Sequence, residues 1–322
     1  MRPKQKTKQT QIGFTLVEML TALAVIAVLL ALLIPALNMV QKKAQTVKQR
    51  GQFHAIEVGL EAFRADWGDY PPSEYALNYG IQGDTAPFTC AAQRLAEALV
   101  GRDGLGFHKS SVFRARGLAD VDGDGILDPV PQTPIAPGIY NGIYSATDRF
   151  TTSSGNYQTA AENLLSRRGP YLELETANAV RFNQYFNPGM IDNTYVLADA
   201  FPKKMTLSGK ECGMPILYYR ANTSQIGNNP SSLNWGANTY NLNDSYCDGQ
   251  GIIRRPIPFQ SSEPAHPLAN CENDERAANY FYGMIKNPNF TSPERPYRAN
   301  SFLLHSAGPD GLYGTPDDMF NF

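Results

Sequence analysis

The sequence predicts an α+β protein: a long N-terminal α-helix, membrane-spanning in its first half and amphipathic in its second, packed on a small antiparallel β-sheet with long loop insertions. Three observations carry this. Residues 14–37 form an almost uncharged apolar run, and apolar residues then recur every three or four positions as far as residue 67. The remainder is rich in turn formers interrupted by short apolar or alternating runs. With 18% charged residues, 27 Gly, 23 Pro and 17 Tyr, the composition argues against a helical bundle.

The one charge within residues 14–37 is Glu18. At ~1.5 Å per residue such a helix is roughly 36 Å long, enough to cross a hydrocarbon layer of about 30 Å. Arg2, Lys4, Lys6 and Lys8 precede it without any acid. Removing their +4 from the whole-chain −2 leaves −6, an acidic remainder with no nucleic-acid footprint. The run is too long for the apolar region of a secretory signal, and no A-x-A-like cleavage site follows it. A plain membrane anchor fits the length and flanks but leaves Glu18 unexplained. A carboxylate inside an apolar helix is costly and normally has a specific partner.

The stretch Gly13-Phe14-Thr15-Leu16-Val17-Glu18-Met19-Leu20, between a basic leader and the apolar run, resembles the processing signal of type IV pilins and type II secretion pseudopilins. The resemblance implies a pilin-like fold and a prepilin peptidase that cuts between Gly13 and Phe14 and methylates the new amine. Residues 1–13 are then a cleaved leader and 14–40 a transmembrane and polymerisation helix. Residues 41–322 form an amphipathic stem plus a globular domain. The resemblance pairs Glu18 with the α-amino group of Phe14 on a neighbouring subunit. It also places Pro35 where pilin helices kink or unwind. The implied partners are further copies or other pseudopilins in a filament, the peptidase and an inner-membrane assembly platform. The implied location is a single pass through the bacterial inner membrane, N-terminus cytoplasmic and domain periplasmic, or in an extracellular filament.

Val40, Ala44, Val47, Gly51, Ile56, Leu60, Phe63 and Trp67 read as one apolar face of the stem, which Gly68, Pro71 and Pro72 terminate. Residues 91–100 read as a short amphipathic helix, and 195–197, 216–219 and 301–305 as strands of an antiparallel sheet. Residues 222–248, crowded with Asn, Gly, Ser and Tyr, read as a long loop. Residues from about 100 to 290 read as insertions around a small α+β core.

Two acidic clusters suggest Ca²⁺. Asp120, Asp122, Asp124 and Asp128 place carboxylates at alternate positions with Gly125 sixth, which suits a hard cation that takes several oxygens. Pro131 stands where an EF-hand has glutamate, so the pattern is closer to the short calcium loops of dockerin or thrombospondin repeats. A solvated Asp-Gly turn is the alternative. The second cluster, Asp310, Asp317 and Asp318 in a Gly-rich terminal stretch, resembles the C-terminal calcium loop of major pseudopilins; which of the last pair faces the ion is open. Cys90, Cys212, Cys247 and Cys271 are too widely spaced for a zinc or redox pair and are disulfide candidates with three possible pairings.

No catalytic residue is assigned. His54, His108, His266 and His305 are isolated in sequence, and no nucleophile-elbow, zinc-protease, Walker or dinucleotide motif occurs. The leading expectation is therefore a structural subunit, a pseudopilin of the major calcium-binding kind. The alternatives are a type IV or minor pilin serving adhesion, motility or DNA uptake, and a membrane-tethered calcium-dependent binding module or enzyme.

Overall fold

The structure, a computed structural model, describes residues 15–73, 90–108, 150–151, 157–158, 164–181, 195–204, 211–228, 238–245, 247–249, 252–255, 268 and 275–322. It divides into two units, Met1–Val47 and Lys48–Phe322.

Helix α1 (Leu16–Trp67) opens in the first unit. Between residues 16 and 40 every described side chain is exposed, Leu, Ile and Val included. A helix apolar on all sides and buried on none suits lipid or neighbouring helices, not water. Among the described residues it is the one helix long and apolar enough to cross a membrane. The helix passes through Pro35 uninterrupted. Proline lacks the N–H for one helical bond, and the adjoining turns carry the helix across that gap.

In the second unit α1 buries Phe53, Ile56, Leu60 and Phe63. The single stripe expected from spacing splits here. Val47 and Gly51 are exposed, and the buried face begins instead with Gln49 and Gln52. Those two amides satisfy backbone groups that would otherwise be buried unpaired. Gln52 Nε2 donates to the carbonyls of Ala177 (3.0 Å) and Ala198 (2.7 Å), and Gln49 Oε1 accepts the Ala200 amide at 2.7 Å. The helix ends at Gly68, whose φ of +86° and amide bond to the Arg64 carbonyl form a left-handed cap. Tyr70, just beyond, packs edge-on against Phe302 and donates its hydroxyl to Glu61.

Helix α2 (Ala91–Val100) forms where the sequence places a short amphipathic helix, and it is buried at every position, Gln93, Arg94 and Glu97 included. Gly59 allows α1 to approach it: a Cβ there would lie 3.2 Å from Leu99 Cδ2. Helices α3 (Leu174–Ala177) and α4 (Glu275–Met284) follow.

Among the described residues all ladders are antiparallel. Short ones pair β1 (Phe107–His108) with β4 (Arg167–Arg168), β2 (Phe150–Thr151) with β3 (Tyr157–Gln158), and β5 (Ala179–Arg181) with β6 (Tyr195–Leu197). Others pair β7 (Lys203–Lys204) with β8 (Glu211–Cys212), β10 (Cys247–Gly249) with β11 (Ile252–Arg255), and β12 (Lys286–Thr291) with β13 (Glu294–Pro296). The central sheet runs β15 (Met319–Phe320), β14 (Phe302–Ser306), β9 (Leu217–Arg220).

Both faces of the central sheet are covered, which is why β9 and β14 read as continuous apolar runs and not as alternating ones. Tyr218, Phe302 and Leu304 face α1 and α2, while Leu217, Tyr219 and Leu303 pack with Cys90, Phe281, Tyr282 and Tyr313. Strand β9 and helix α4 therefore belong to the core, although they fall in the interval read as insertion. The C-terminal end is tied to α1 through Glu57, which pairs with Arg298 at 2.5 Å and accepts the Asn321 amide at 2.8 Å. Within 222–248, read as a long loop, the chain makes a 3₁₀ turn at Leu242–Ser245 and enters β10 at Cys247.

Candidate functional site: the N-terminal segment and the terminal loop

At the start of α1 the carboxylate of Glu18 is held locally. Thr15 donates to it from its amide (2.8 Å) and its hydroxyl (2.6 Å), and the Glu18 amide reaches back to Thr15 Oγ1 at 3.3 Å. This is a reciprocal capping box, which satisfies otherwise orphaned donors at the first turn. Its Thr-x-x-Glu spacing is visible in the sequence. Gly13 and Phe14 lie outside the described residues.

The terminal loop leaves β14 at Ser306 and returns at β15. Gly308, Gly311 and Gly314 all have positive φ. At Gly308 the need for glycine is plain, since a Cβ there would lie 2.2 Å from the Asp317 carbonyl oxygen. Asp310 and Asp317 come together: the Asp310 amide donates to Asp317 Oδ2 at 2.9 Å, and the two carboxyls are hydrogen-bonded to one another. Burial, reinforced by the Asp317 side chain, raises the Asp310 pKa above the usual carboxylate range. Burial pushes Asp317 upward too, but bonds from the Thr315 hydroxyl and the Asp310 amide outweigh it and hold that group low.

Asp318 shares the Thr315 hydroxyl with Asp317, its Oδ1 lying 3.4 Å from that donor. Its Oδ2 is 2.7 Å from His305 Nε2 and accepts the Gly314 amide, also at 2.7 Å. Thr315 Oγ1 bonds Asp317 Oδ1 at 2.5 Å. Among the described residues no group of three or more His, Cys, Asp or Glu side chains gathers as a metal site.

Beneath the loop lies Asp199, 1% exposed and not singled out by its sequence context. Its Oδ1 accepts the amides of Phe201 (3.1 Å) and Met214 (3.0 Å), and its Oδ2 accepts the Ser306 hydroxyl at 2.8 Å. Ser306 Oγ in turn accepts the Gly308 amide at 3.1 Å. Burial raises the Asp199 pKa to about 7, against the opposing effect of those hydrogen bonds and of Lys203.

Asp120, Asp122, Asp124 and Asp128 lie outside the described residues, as does Cys271. Cys90 and Cys212 are buried in one core, and Cys247 begins β10.

A family model described as the prokaryotic N-terminal methylation motif matches residues 8–34, which include Gly13, Phe14, Glu18 and most of the exposed apolar helix. This segment therefore carries a match to the methylation motif, and the rest of the chain lies outside it. Over 79 residues it is 30% identical to the type II secretion system core protein G of Aeromonas hydrophila. That match covers 24% of this chain and 55% of the relative, so the chain spans about half the length of the curated pseudopilin it matches. No solved structure matches it significantly. The long helix and small antiparallel sheets are those of an α+β pilin-like fold.

Proposed function

We propose that this chain is a pseudopilin: a structural subunit of a type II secretion filament, processed between Gly13 and Phe14 and assembled through its N-terminal helix. The observation that carries the reading is the methylation motif on an apolar helix exposed on every side, followed by a separately packed unit. Similarity to the core protein G supports the secretion system over a pilus. The partners would be further copies or other pseudopilins, a prepilin peptidase and an inner-membrane assembly platform. The helix would cross the membrane with its N-terminus cytoplasmic. That the match covers only 24% of the chain favours, as a second reading, a specialised minor or tip subunit of such a filament.

Calcium belongs to this reading. What supports it in the terminal loop is the meeting of two acidic residues, the Asp310 amide lying 2.9 Å from Asp317 Oδ2. A divalent ion bound there would supply the missing positive charge and stabilise the folded unit by mass action. Asp310, Asp317 and Asp318 are the acids that would hold it.

Two experiments test the assembly reading. Gly13→Leu is expected to leave the leader attached, so that mass spectrometry of the membrane fraction finds the full-length precursor in place of a chain beginning at methylated Phe14. Normal processing of that variant would remove the central claim. Glu18→Lys is expected to insert into the membrane yet fail to cross-link into filaments, because it places two cations where a carboxylate and an amine would meet. Filaments that incorporate it normally would reject the pairing role.

A further inference from the structure

We propose that the polar cleft between the turn at residues 222–224 and the 3₁₀ turn at Leu242–Ser245 binds a neutral saccharide. The cleft lies within the second unit and has a volume of about 540 Å³, inside the range of about 300–1,000 Å³ usual for small-molecule sites.

The floor of the cleft is polar, buried and fixed. Ser73, Asn238, Thr239 and Asp244 line it, each at most 2% exposed. Ser73 Oγ donates to Asp244 Oδ2 at 2.5 Å and accepts the Arg220 amide at 2.9 Å. Asn238 Nδ2 donates to the Tyr282 hydroxyl at 2.9 Å, and Thr239 Oγ1 donates to the Gly227 carbonyl at 3.2 Å. Groups already held in this way lose little further freedom when a ligand arrives. The rim is polar and exposed. The Asn222 amide donates to the Thr239 carbonyl at 2.7 Å, and Asn222 Oδ1 accepts the Ser224 amide at 3.1 Å, so the turn is closed by its own side chain. Thr223 and Ser224 are exposed on this turn and line the cleft, which leaves their hydroxyls open to a ligand.

The chemistry of the lining selects the ligand class. Its two ionised side chains are held by the fold, Asp244 by Ser73, and Arg220 by Asp69 and by the Tyr70 carbonyl at 3.4 Å. A charged ligand would have to displace one of these contacts to gain an ion pair. The apolar side chains of the lining are Pro72 and Ala221, too small to drive the binding of an apolar ligand. What remains is a set of hydroxyls and amides that together donate and accept, as the hydroxyls of a sugar do. No aromatic ring lines the cleft to stack on a sugar face, so affinity is expected on the order of 1 mM.

The test uses the full chain in an amine-oxide detergent, because alkyl glycosides would themselves compete. Maltotriose, cellotriose and chitotriose are offered one at a time, with tetraglycine as a neutral peptide probe, and binding is read by saturation-transfer NMR. At least one trisaccharide is expected to receive saturation and to titrate with a Kd on the order of 1 mM. Thr223→Val combined with Ser224→Ala removes the rim hydroxyls at exposed positions and is expected to weaken that binding about tenfold. Thr291→Val, the same change on an exposed strand outside the cleft, is expected to leave it unaltered. Absence of transfer to every one of these sugars at about 20 mM would overturn the proposal. Equal affinities for wild type and the rim variant would do the same. Transfer to tetraglycine alone would make the cleft a peptide site and reject the saccharide.

Discussion

Gly213→Ala is expected to destabilise the globular unit by about 3 kcal/mol or more, seen as a large fall in the urea midpoint followed by tryptophan fluorescence. The reason is a close approach of two backbones. The Asp199 amide donates to the Met214 carbonyl at 2.7 Å and the Ile216 amide to the Leu197 carbonyl at 2.7 Å, so residues 197–199 run tightly beside 214–216. At Gly213 a Cβ would lie 2.0 Å from the Asp199 carbonyl oxygen and 2.5 Å from its Oδ1. Neither is the free end of a flexible chain. To make room, Asp199 must give up the Met214 amide or the Ser306 hydroxyl, and a buried carboxyl stripped of donors is costly. The contrasting substitution is Gly51→Ala. That glycine is exposed in the middle of α1 with nothing within 4 Å of its Cβ, so alanine there is expected to stabilise by up to about 1 kcal/mol. Similar midpoints for the two variants would sink the argument.

What could be read from the sequence follows the same division between local and distant causes. The long helix, its end at Gly68 and the prolines beyond, and the strands near 195, 217 and 302 were legible because each is written in neighbouring residues. Glu18 was legible as an anomaly, a charge where lipid is expected. Its capping partner Thr15 was equally visible in the spacing. The buried face of the stem was misread because periodicity counts apolar residues, whereas Gln49 and Gln52 are buried as hydrogen-bonding groups facing backbone far along the chain. The burial of α2 on all sides, its charged positions included, was not legible, because no local pattern announces it. The contact of Asp318 with His305 depends on the pairing of β14 with β15, which no local pattern announces. Asp199 was invisible, since its partners Met214 and Ser306 lie far off in sequence.

Asp199 also makes the fold sensitive to pH in a direction opposite to that of most carboxylates. An acid whose folded pKa is raised binds its proton more tightly when folded, so its contribution is fully present below the unfolded value and is lost as pH rises through the folded one. Here the unfolded group titrates near 3.8 and the folded one at about 7. Between about pH 4 and pH 7, Asp199 should therefore erode stability by about 1.4 kcal/mol per pH unit at most, and add no further slope above that. Asp199→Asn should remove this slope. Its Oδ1 can still accept the amides of Phe201 and Met214, and its Nδ2 can donate to Ser306 Oγ, so the fold should survive the change. Every other titrating group, including the Asp310–Asp317 pair, is common to both proteins and cancels in the difference between them. The measurement is a series of urea midpoints from pH 4.5 to 8 for the two chains in detergent and chelator. Wild type should be the more stable at the acid end, and its advantage should shrink steadily up to neutrality. Parallel curves would mean that Asp199 titrates alike folded and unfolded, and that its burial beneath the terminal loop has no electrostatic consequence.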